Sequence, residues 1–357
     1  MTRENWIEML YHNVNIECIA YETPPETVTS AAIEERLEPV YRRLKLPEGR
    51  LELMSGIRER RLWAPGTMPS DAAALAGAKA LAQSGTAASE IGALINCSVC
   101  RDCLEPATAT IVHAALNLPP EAAAFDLSNA CLGVLTGIVT GANMIELGQA
   151  GKVLLVAGEN SRSLLESTIQ TMLNNHNLTR QSIKPYFASL TIGSGAVAVI
   201  LSHRSLSRSG HRLHGGASLS ATQFNHLCRG NADKGMVDLR QDTLMNTDSE
   251  ELLIRGVETA GATWKVFECE TGWSDADINC FCTHQVGSAH RKLLFETLKI
   301  DQSHDFPTLE NWGNTGSVSC PLTVALAAEN GALKSGMRLA MLGIGSGINS
   351  TMLGVEW

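Results

Sequence analysis

The clearest pattern along the chain is an apolar strand that runs straight into an apolar helix. Residues 122–127 have strand character. From Leu132 the sequence reads Leu-Gly-Val-Leu-Thr-Gly-Ile-Val-Thr-Gly-Ala-Asn-Met-Ile-Glu-Leu, apolar on nearly every face. Such a helix belongs in an interior, with small residues where neighbours approach closely. Further strands are predicted at 14–21, 91–97, 152–158 and 196–201, and helices over 30–44, over 70–83 and after Pro106. Thr29 and Ser30, followed by Glu34, give the start signal of the first helix. Residues 45–53 read as a loop and 160–189 as a polar excursion. The rhythm then repeats, with strands near 213–219, 278–282, 337–342 and 350–355 and helices near 250–270, 287–298 and 320–330. Residues 223–248 read as a polar excursion at the surface or near a site mouth, and 343–347 as a glycine turn. Strands alternating with helices in two similar halves predict a layered α/β protein with internal duplication, divided as 1–205 and 206–357. No Pro/Gly/Ser-rich linker separates the halves, so they should share one core.

Composition narrows the classes. At 357 residues, 44% hydrophobic and 18% charged, the chain resembles ordinary globular proteins and can bury a large core. No apolar run reaches membrane-spanning length, and the first residues carry no secretory pattern, so a cytoplasmic location is expected. A net charge of −9 argues against nucleic-acid binding while leaving room for a local basic patch. The most basic run is Arg58-Glu-Arg60-Arg61-Leu-Trp63; alone it reads as a solvated face, and with Trp63 it could also meet phosphate and adenine groups.

With no export signal the ten cysteines should be reduced. Cys97-x-x-Cys100-x-x-Cys103 has a spacing used in iron–sulfur ligation, but no fourth thiolate follows locally, and these residues read as buried fillers. Cys280 and Cys282, two apart on a strand, also read as core. Cys131 is different. It lies where the apolar strand turns into the apolar helix, where helix-terminal N–H groups are expected to favour thiolate.

Two more polar residues have conspicuous settings. His284 follows directly on an apolar strand, at the carboxyl end where α/β proteins place ligands. Asn314, in Trp-Gly-Asn-Thr-Gly-Ser, precedes a helix. With Gly343-Ile-Gly-Ser-Gly347 they suggest a nucleophile, two hydrogen-bond donors and a backbone oxyanion pocket. A cysteine protease shows the same Cys, His, Asn order, but its nucleophile stands in a polar setting, not on an apolar helix.

Through Gly56-Ile-Arg-Glu-Arg-Arg61, Ala130-Cys131-x-Gly133, His284-Gln285, Gly313-Asn-Thr-Gly316 and Gly345-Ser-Gly347, nearly the whole chain resembles the thiolase-fold condensing enzymes. The branch is that of β-ketoacyl-ACP synthase III. Within it the chain is most similar to OleA-type enzymes, which join two fatty acyl-CoA chains head to head. The grounds are Leu94-Ile-Asn-x-Ser-Val-x-Arg-Asp-x-Leu-Glu-Pro106, Leu227-Cys-Arg-Gly-Asn231, Arg61-Leu-Trp63 and Gly343-Ile-Gly-Ser-Gly-Ile-Asn349. The resemblance implies a five-layer αβαβα core built from two duplicated halves. It implies a cytoplasmic homodimer with no cofactor or metal beyond the acyl-CoA or acyl-carrier thioester. Cys131 would carry the first acyl chain, and the backbone N–H groups of Cys131 and Ser346 would form the oxyanion hole. His284 and Asn314 would hold the second thioester's carbonyl. Glu105, entering from the partner subunit, would be the base; read alone, it is also a helix-N-terminal acid before Pro106. The carrier-gripping tryptophan of the synthases is missing from residues 50–55, so Arg58, Arg60, Arg61 and Arg229 are the candidate carrier contacts. Two rivals remain: a chain starter that condenses acyl-CoA with malonyl-ACP by decarboxylation, and a non-catalytic partner of a condensing complex.

Overall fold

Strand β1 (Val14–Glu22) is the seam of the molecule. Along one edge it pairs antiparallel with β7 (Gly195–His203); along the other it meets β8 (Arg212–Ser220) through Asn15 and Arg212. This computed structural model describes residues 9–230 and 245–357. On the β7 side the order continues through β6 (Lys152–Glu159), β4 (Ala93–Asn96) and β5 (Ala123–Asp126). On the β8 side it continues through β13 (Asn349–Glu356), β12 (Arg338–Gly345) and β11 (Cys280–Thr283). Outward from the seam, β1-β7-β6-β4 and β8-β13-β12-β11 repeat one topology. The duplication read from the sequence is therefore in the fold.

The layering follows from which faces are apolar. Helices α6 (Gly133–Glu146) and α12 (Ser319–Glu329) fill the middle. Leu135, Ile138, Leu322 and Val324 pack there with Val153 and Leu155 of one sheet half and Leu339 and Met341 of the other. Outside the first half lie α4 (Pro69–Ser84) and α5 (Thr108–Ala115), where Ala72, Ala76 and Ala80 let the helix sit close on Leu94 and Leu154. Outside the second lie α9 (Ser249–Thr271) and α10 (Ser288–Leu298), packed through Trp264, Phe267, Phe281 and Phe295. The result is the αβαβα stack.

Three expectations need correction. The helix over 30–44 is two, α1 (Ser30–Arg36) and α2 (Glu38–Leu44), because Pro39 cannot donate within a continuous helix and instead opens the second. Thr29 does cap the first, its Oγ1 accepting from Ala32 N at 3.1 Å. The loop at 45–53 gives way to α3 (Arg50–Ser55), framed by Gly49 and Gly56, both at φ +74°. The polar excursion at 160–189 contains α7 (Arg162–Asn174) and α8 (Lys184–Leu190). Leu165, Ile169 and Met172 make one narrow apolar stripe on α7 that, with Phe187 of α8, shares a buried cluster with Ile33, Leu37 and Val40; the polar remainder concealed it. The basic run becomes β3 (Glu59–Leu62), antiparallel to β2 (Glu26–Thr29). Within the predicted excursion at 223–248, β9 (Cys228–Gly230) pairs with β10 (Met245–Thr247). Residues 231–244, with Asn231 of the family motif, and residues 1–8, on which the leader expectation rests, lie outside the described residues. Among the described residues no helix is long and apolar enough to cross a membrane.

Candidate active site

Cys131 sits in a three-residue 3₁₀ turn, Ala130–Leu132, that leads into α6. Ala130 is left-handed at φ +45°, and Gly133 is obligatory because a Cβ there would stand 2.0 Å from the Cys97 carbonyl oxygen. Beneath the turn passes the end of β12. A Cβ on Gly345 would lie 3.6 Å from Cys131 N, an ordinary contact, and 3.0 Å from Leu132 Cγ, a tight one, so glycine eases the strand's passage under the turn. That approach brings Ser346 beside the cysteine turn. Asn129 fastens the two pieces: its Oδ1 accepts from Asn349 Nδ2 at 2.9 Å, and its Nδ2 donates to Thr136 Oγ1 at 2.8 Å.

The thiol is not the acidic one expected from a helix terminus. Burial, then the nearby Glu159 carboxylate and Cys228, push Cys131 up to about 12, against a smaller opposing backbone hydrogen bond. The turn before α6 is too short and too enclosed for its dipole to win. At neutral pH the substrate-free site holds a thiol.

His284 continues β11, its N–H bonded to Leu342 O at 2.9 Å. The ring is buried, and burial together with neighbouring His290 lowers it to about 3, so it is neutral. Its Nδ1 is enclosed without a partner. A bare acceptor nitrogen is less costly to enclose than an unpaired N–H, which favours the tautomer with its proton on Nε2. Gln285 then stitches the next segment in place: its Oε1 accepts from Thr308 N and Leu309 N, both at 2.9 Å, and its Nε2 donates to Phe306 O at 2.9 Å. That segment leads through the short helix α11 (Leu309–Trp312) to Asn314. Asn314 N donates to Thr191 O at 3.0 Å, and Asn314 Oδ1 accepts from Gly316 N at 3.0 Å. With the amide oxygen occupied inside its own turn, the NH₂ is the end left to donate outward.

Packing joins these segments. Gly133 abuts Ser317, and Gln285 N donates to Ser319 Oγ at 3.2 Å. Glu159, a residue that sequence reasoning missed, ends β6 in the same region. Its carboxylate accepts from Val99 N at 2.8 Å, Cys100 N at 3.1 Å and the Ser317 hydroxyl. An acid closing an otherwise apolar strand was the available signal, and the predicted strand stopped one residue short of it.

Other candidates lie elsewhere. Glu105 is exposed on the loop between β4 and α5, beside exposed Leu104 (55%) and near Val99 (53%), outside the buried cluster. Arg60 is fully enclosed, and burial lowers it to about 10. It donates to Val28 O at 3.2 Å and Ser30 Oγ at 3.0 Å, fixing β2 and the start of α1, so it is not a carrier contact. Trp63 is likewise buried, its Nε1 donating to Glu159 O at 3.1 Å. Arg58 and Arg229 are exposed and Arg61 half-buried; Arg58 pairs with Glu310 at 2.8 Å. Of the three cysteines read as buried fillers only Cys97 is buried; Cys100 is half-buried and Cys103 exposed, and their thiols point to three different carbonyls, of Ile95, Asn160 and Pro106. Cys280 and Cys282 are buried, with their sulfurs 4.0 Å apart.

Comparison with known proteins gives this arrangement its family. The chain is 42% identical to an acyl-CoA:acyl-CoA alkyltransferase of Shewanella oneidensis, over 98% of this chain and all of that one. It belongs to the OleA-type acyl-CoA:acyl-CoA alkyltransferase family. The corresponding Xanthomonas campestris protein is 37% identical over 98% of the chain and all of its own length. Residues 125–215 match the 3-oxoacyl-[acyl-carrier-protein] synthase III family and 269–357 its C-terminal family. A β-ketoacyl-ACP synthase III of Koribacter versatilis is 27% identical, covering 85% of this chain and 87% of its own. The fold superposes on a cysteine-to-alanine variant of Xanthomonas campestris OleA with a TM-score of 0.92, covering 98% of each chain at 37% identity. A cysteine-to-serine variant of that protein, solved with bound lauric acid and lauroyl-CoA, superposes at 0.91 with 37% identity, covering 98% of this chain and all of that one. The chain is thus a thiolase-like condensing acyltransferase.

Proposed function

We propose that this protein joins two fatty acyl-CoAs head to head, without decarboxylation, to give a 2-alkyl-3-ketoacyl-CoA. The observation that carries the reading is the meeting of the cysteine turn, the glycine end of β12, His284 and the Asn314 turn in a full-length relative of acyl-CoA alkyltransferases. In the first step the Cys131 sulfur attacks the thioester carbonyl while the N–H groups of Cys131 and Ser346 hold the oxyanion. The new thioester stays on Cys131; CoA leaves as thiolate and takes up the proton the cysteine gave up. In the second step Glu105 of a second copy removes an α-proton from another acyl-CoA. The enolate oxygen is held by His284 Nε2–H and the Asn314 amide. The carbanion attacks the acyl-cysteine, Cys131 departs, and the proton on Glu105 restores its thiol.

The exposed Leu104 and Val99 around Glu105 support a homodimer in which this loop docks on the partner. The carrier is CoA, met by Arg58, Arg61 and Arg229, and the reaction needs no further cofactor. The halves 1–205 and 206–357 divide the work between nucleophile and carbonyl-binding groups, in a cytoplasmic enzyme. Incubation with long-chain acyl-CoA alone, followed by product mass, tests the reading. A 2-alkyl-3-keto product without malonyl donor is expected; product only with malonyl-ACP would make it a chain starter.

A further inference from the structure

We propose that Glu159 is a positioning residue that ties the loop carrying Glu105 to the turn following Asn314, so that one carboxylate aligns parts of two active sites. The inference rests on the reading above, in which Glu105 serves the partner's site and Asn314 its own. Glu159 is 4% exposed, and nothing in the condensation steps uses it. Its Oε1 accepts from Val99 N and from the Ser317 hydroxyl, and its Oε2 from Cys100 N. Val99 and Cys100 open the loop that reaches Glu105. Ser317 lies in the 3₁₀ turn Gly316–Val318, and Gly316 N holds the oxygen of the Asn314 amide. From one carboxylate the bonding therefore runs outward to the base and inward to the carbonyl-binding amide.

Two other acids bonded to this loop and its flank, Asp102 on the loop and Asp126 at the end of β5, do a different job. Asp102 accepts from Ser70 N at 2.9 Å and from the Ser70 hydroxyl, anchoring the loop to α4. Asp126 accepts from Thr108 N at 3.0 Å and Ala109 N at 2.8 Å and pairs with Arg101 at 3.3 Å, bracing the flank next to α5. Both hold the loop within its own half. Glu159 alone among the three reaches across to the second half. Loss of its bridge should leave the nucleophile in place while misplacing base and amide, and a misplacement near 1 Å costs about 10²-fold in rate.

Mixed dimers separate the two directions. Pairing wild type with a chain bearing both Cys131→Ala and Glu159→Gln leaves one working cysteine, an intact Asn314 turn, and a base delivered from the altered chain. Pairing Glu159→Gln with Cys131→Ala leaves an altered Asn314 turn and an intact base. In both we expect condensation lowered about 10²-fold. Acylation of the working Cys131, read by intact mass, should match the wild-type/Cys131→Ala dimer in the first. It should be no slower than that dimer in the second, where Glu159→Gln also removes a carboxylate that raises the Cys131 thiol. Ser317→Ala, which deletes the inward bond alone and no charge, repeats the second pairing should Glu159→Gln fold poorly. Condensation at the control rate in either dimer overturns the two-site link, as does a parallel loss of acylation and condensation, which marks a merely structural role. A Cys131→Ala/Glu105→Ala dimer serves as the independent control. If it recovers no activity, the partner-borne base is wrong and the link falls with it; if it recovers, a negative result concerns Glu159 alone.

Discussion

The two halves build the same corner twice and use it differently. In each, the second strand of the repeat in chain order, β4 or β11, ends beside its parallel neighbour, β6 or β12, in the same register, with Cys97 N bonded to Val156 O and His284 N to Leu342 O. In each, a three-residue 3₁₀ turn opens a buried helix, so Ala130-Cys131-Leu132 corresponds to Gly316-Ser317-Val318. Three residues beyond Val156 and Leu342 stand Glu159 and Gly345, the last residues of β6 and β12. Each lies against the other half's turn. Glycine under the cysteine sets no side chain against its backbone N–H, the group that the proposed mechanism gives to the thioester oxyanion. Glutamate under the serine bonds the hydroxyl. One scaffold thus gives an open reactive corner and a closed structural one, and the choice turns on the single residue ending the strand.

The strongest way to break this comparison is at the open corner. Cys131→Ala should abolish acyl-enzyme formation and lower condensation by on the order of 10⁴–10⁶-fold. Peptide mapping after incubation with acyl-CoA checks it, and acylation persisting at another cysteine would make the open corner no more reactive than the closed one.

Next in size is the exit from the second strand. After β11 it gives His284 at once; after β4 it gives an exposed loop carrying Glu105. If that loop supplies the base, Glu105→Gln should spare acylation and lower malonyl-free condensation about 10²–10⁴-fold. Full activity in the variant would leave the loop with only its docking role.

A third test uses acidity. Cys131 is raised to about 12 and His284 lowered to about 3, both chiefly by burial. Alkylation of Cys131 by iodoacetamide should therefore keep rising through pH 9 toward 12, where an ordinary thiol would already have levelled off. The turnover rate should show no His284 inflection near pH 6.5. For stability the sign is opposite for the two groups. Between pH 6.5 and 3 the unfolded chain binds a proton that His284 refuses, so melting temperature falls with pH there. Between pH 9 and 12 the unfolded cysteine ionises before the folded one, so stability falls as pH rises. A break in the alkylation profile near pH 9 would show that burial does not hold the Cys131 thiol up.

The sequence exposed the open corner better than the closed one. Cys131, His284 and Asn314 each stand at a change of pattern, where an apolar run stops and a polar residue or glycine begins. The duplication was legible because strand and helix periodicities recur in the same order. Arg60 misled because charge in a sequence predicts exposure, whereas here a guanidinium is enclosed and bonded to Val28 O and Ser30 Oγ. The acidity of Cys131 misled because the local rule about helix ends ignores the depth at which the turn is set. The bonding of Glu159 was not legible even though its place at a strand end was, because its partners, Val99, Cys100 and Ser317, are 60, 59 and 158 positions away.

The smallest expected effect compares the first residues of the two turns. Ala130 holds φ +45° and Gly316 φ +59°, so the same left-handed position carries a side chain at the open corner and none at the closed one. A left-handed conformation costs a residue with Cβ roughly 1–2 kcal/mol. Gly316→Ala should incur that cost, less the about 0.4–1 kcal/mol gained because alanine restricts the unfolded chain. A Cβ there would meet the Glu159 carboxyl carbon at 3.5 Å, an ordinary contact, so strain and not collision sets the size. Ala130→Gly should relieve the strain and lose the same unfolded-chain term. The net is about 0–1.6 kcal/mol in each case, unfavourable for Gly316→Ala and favourable for Ala130→Gly. At about 2–4 °C per kcal/mol at most, Gly316→Ala should lower the melting temperature by about a degree or two and Ala130→Gly should raise it by a similar amount. A large gain from Ala130→Gly would mean that the cysteine turn stores strain beyond its backbone angle. A fall as large as that of Gly316→Ala would mean that the alanine methyl is itself part of the packing that keeps Cys131 in place.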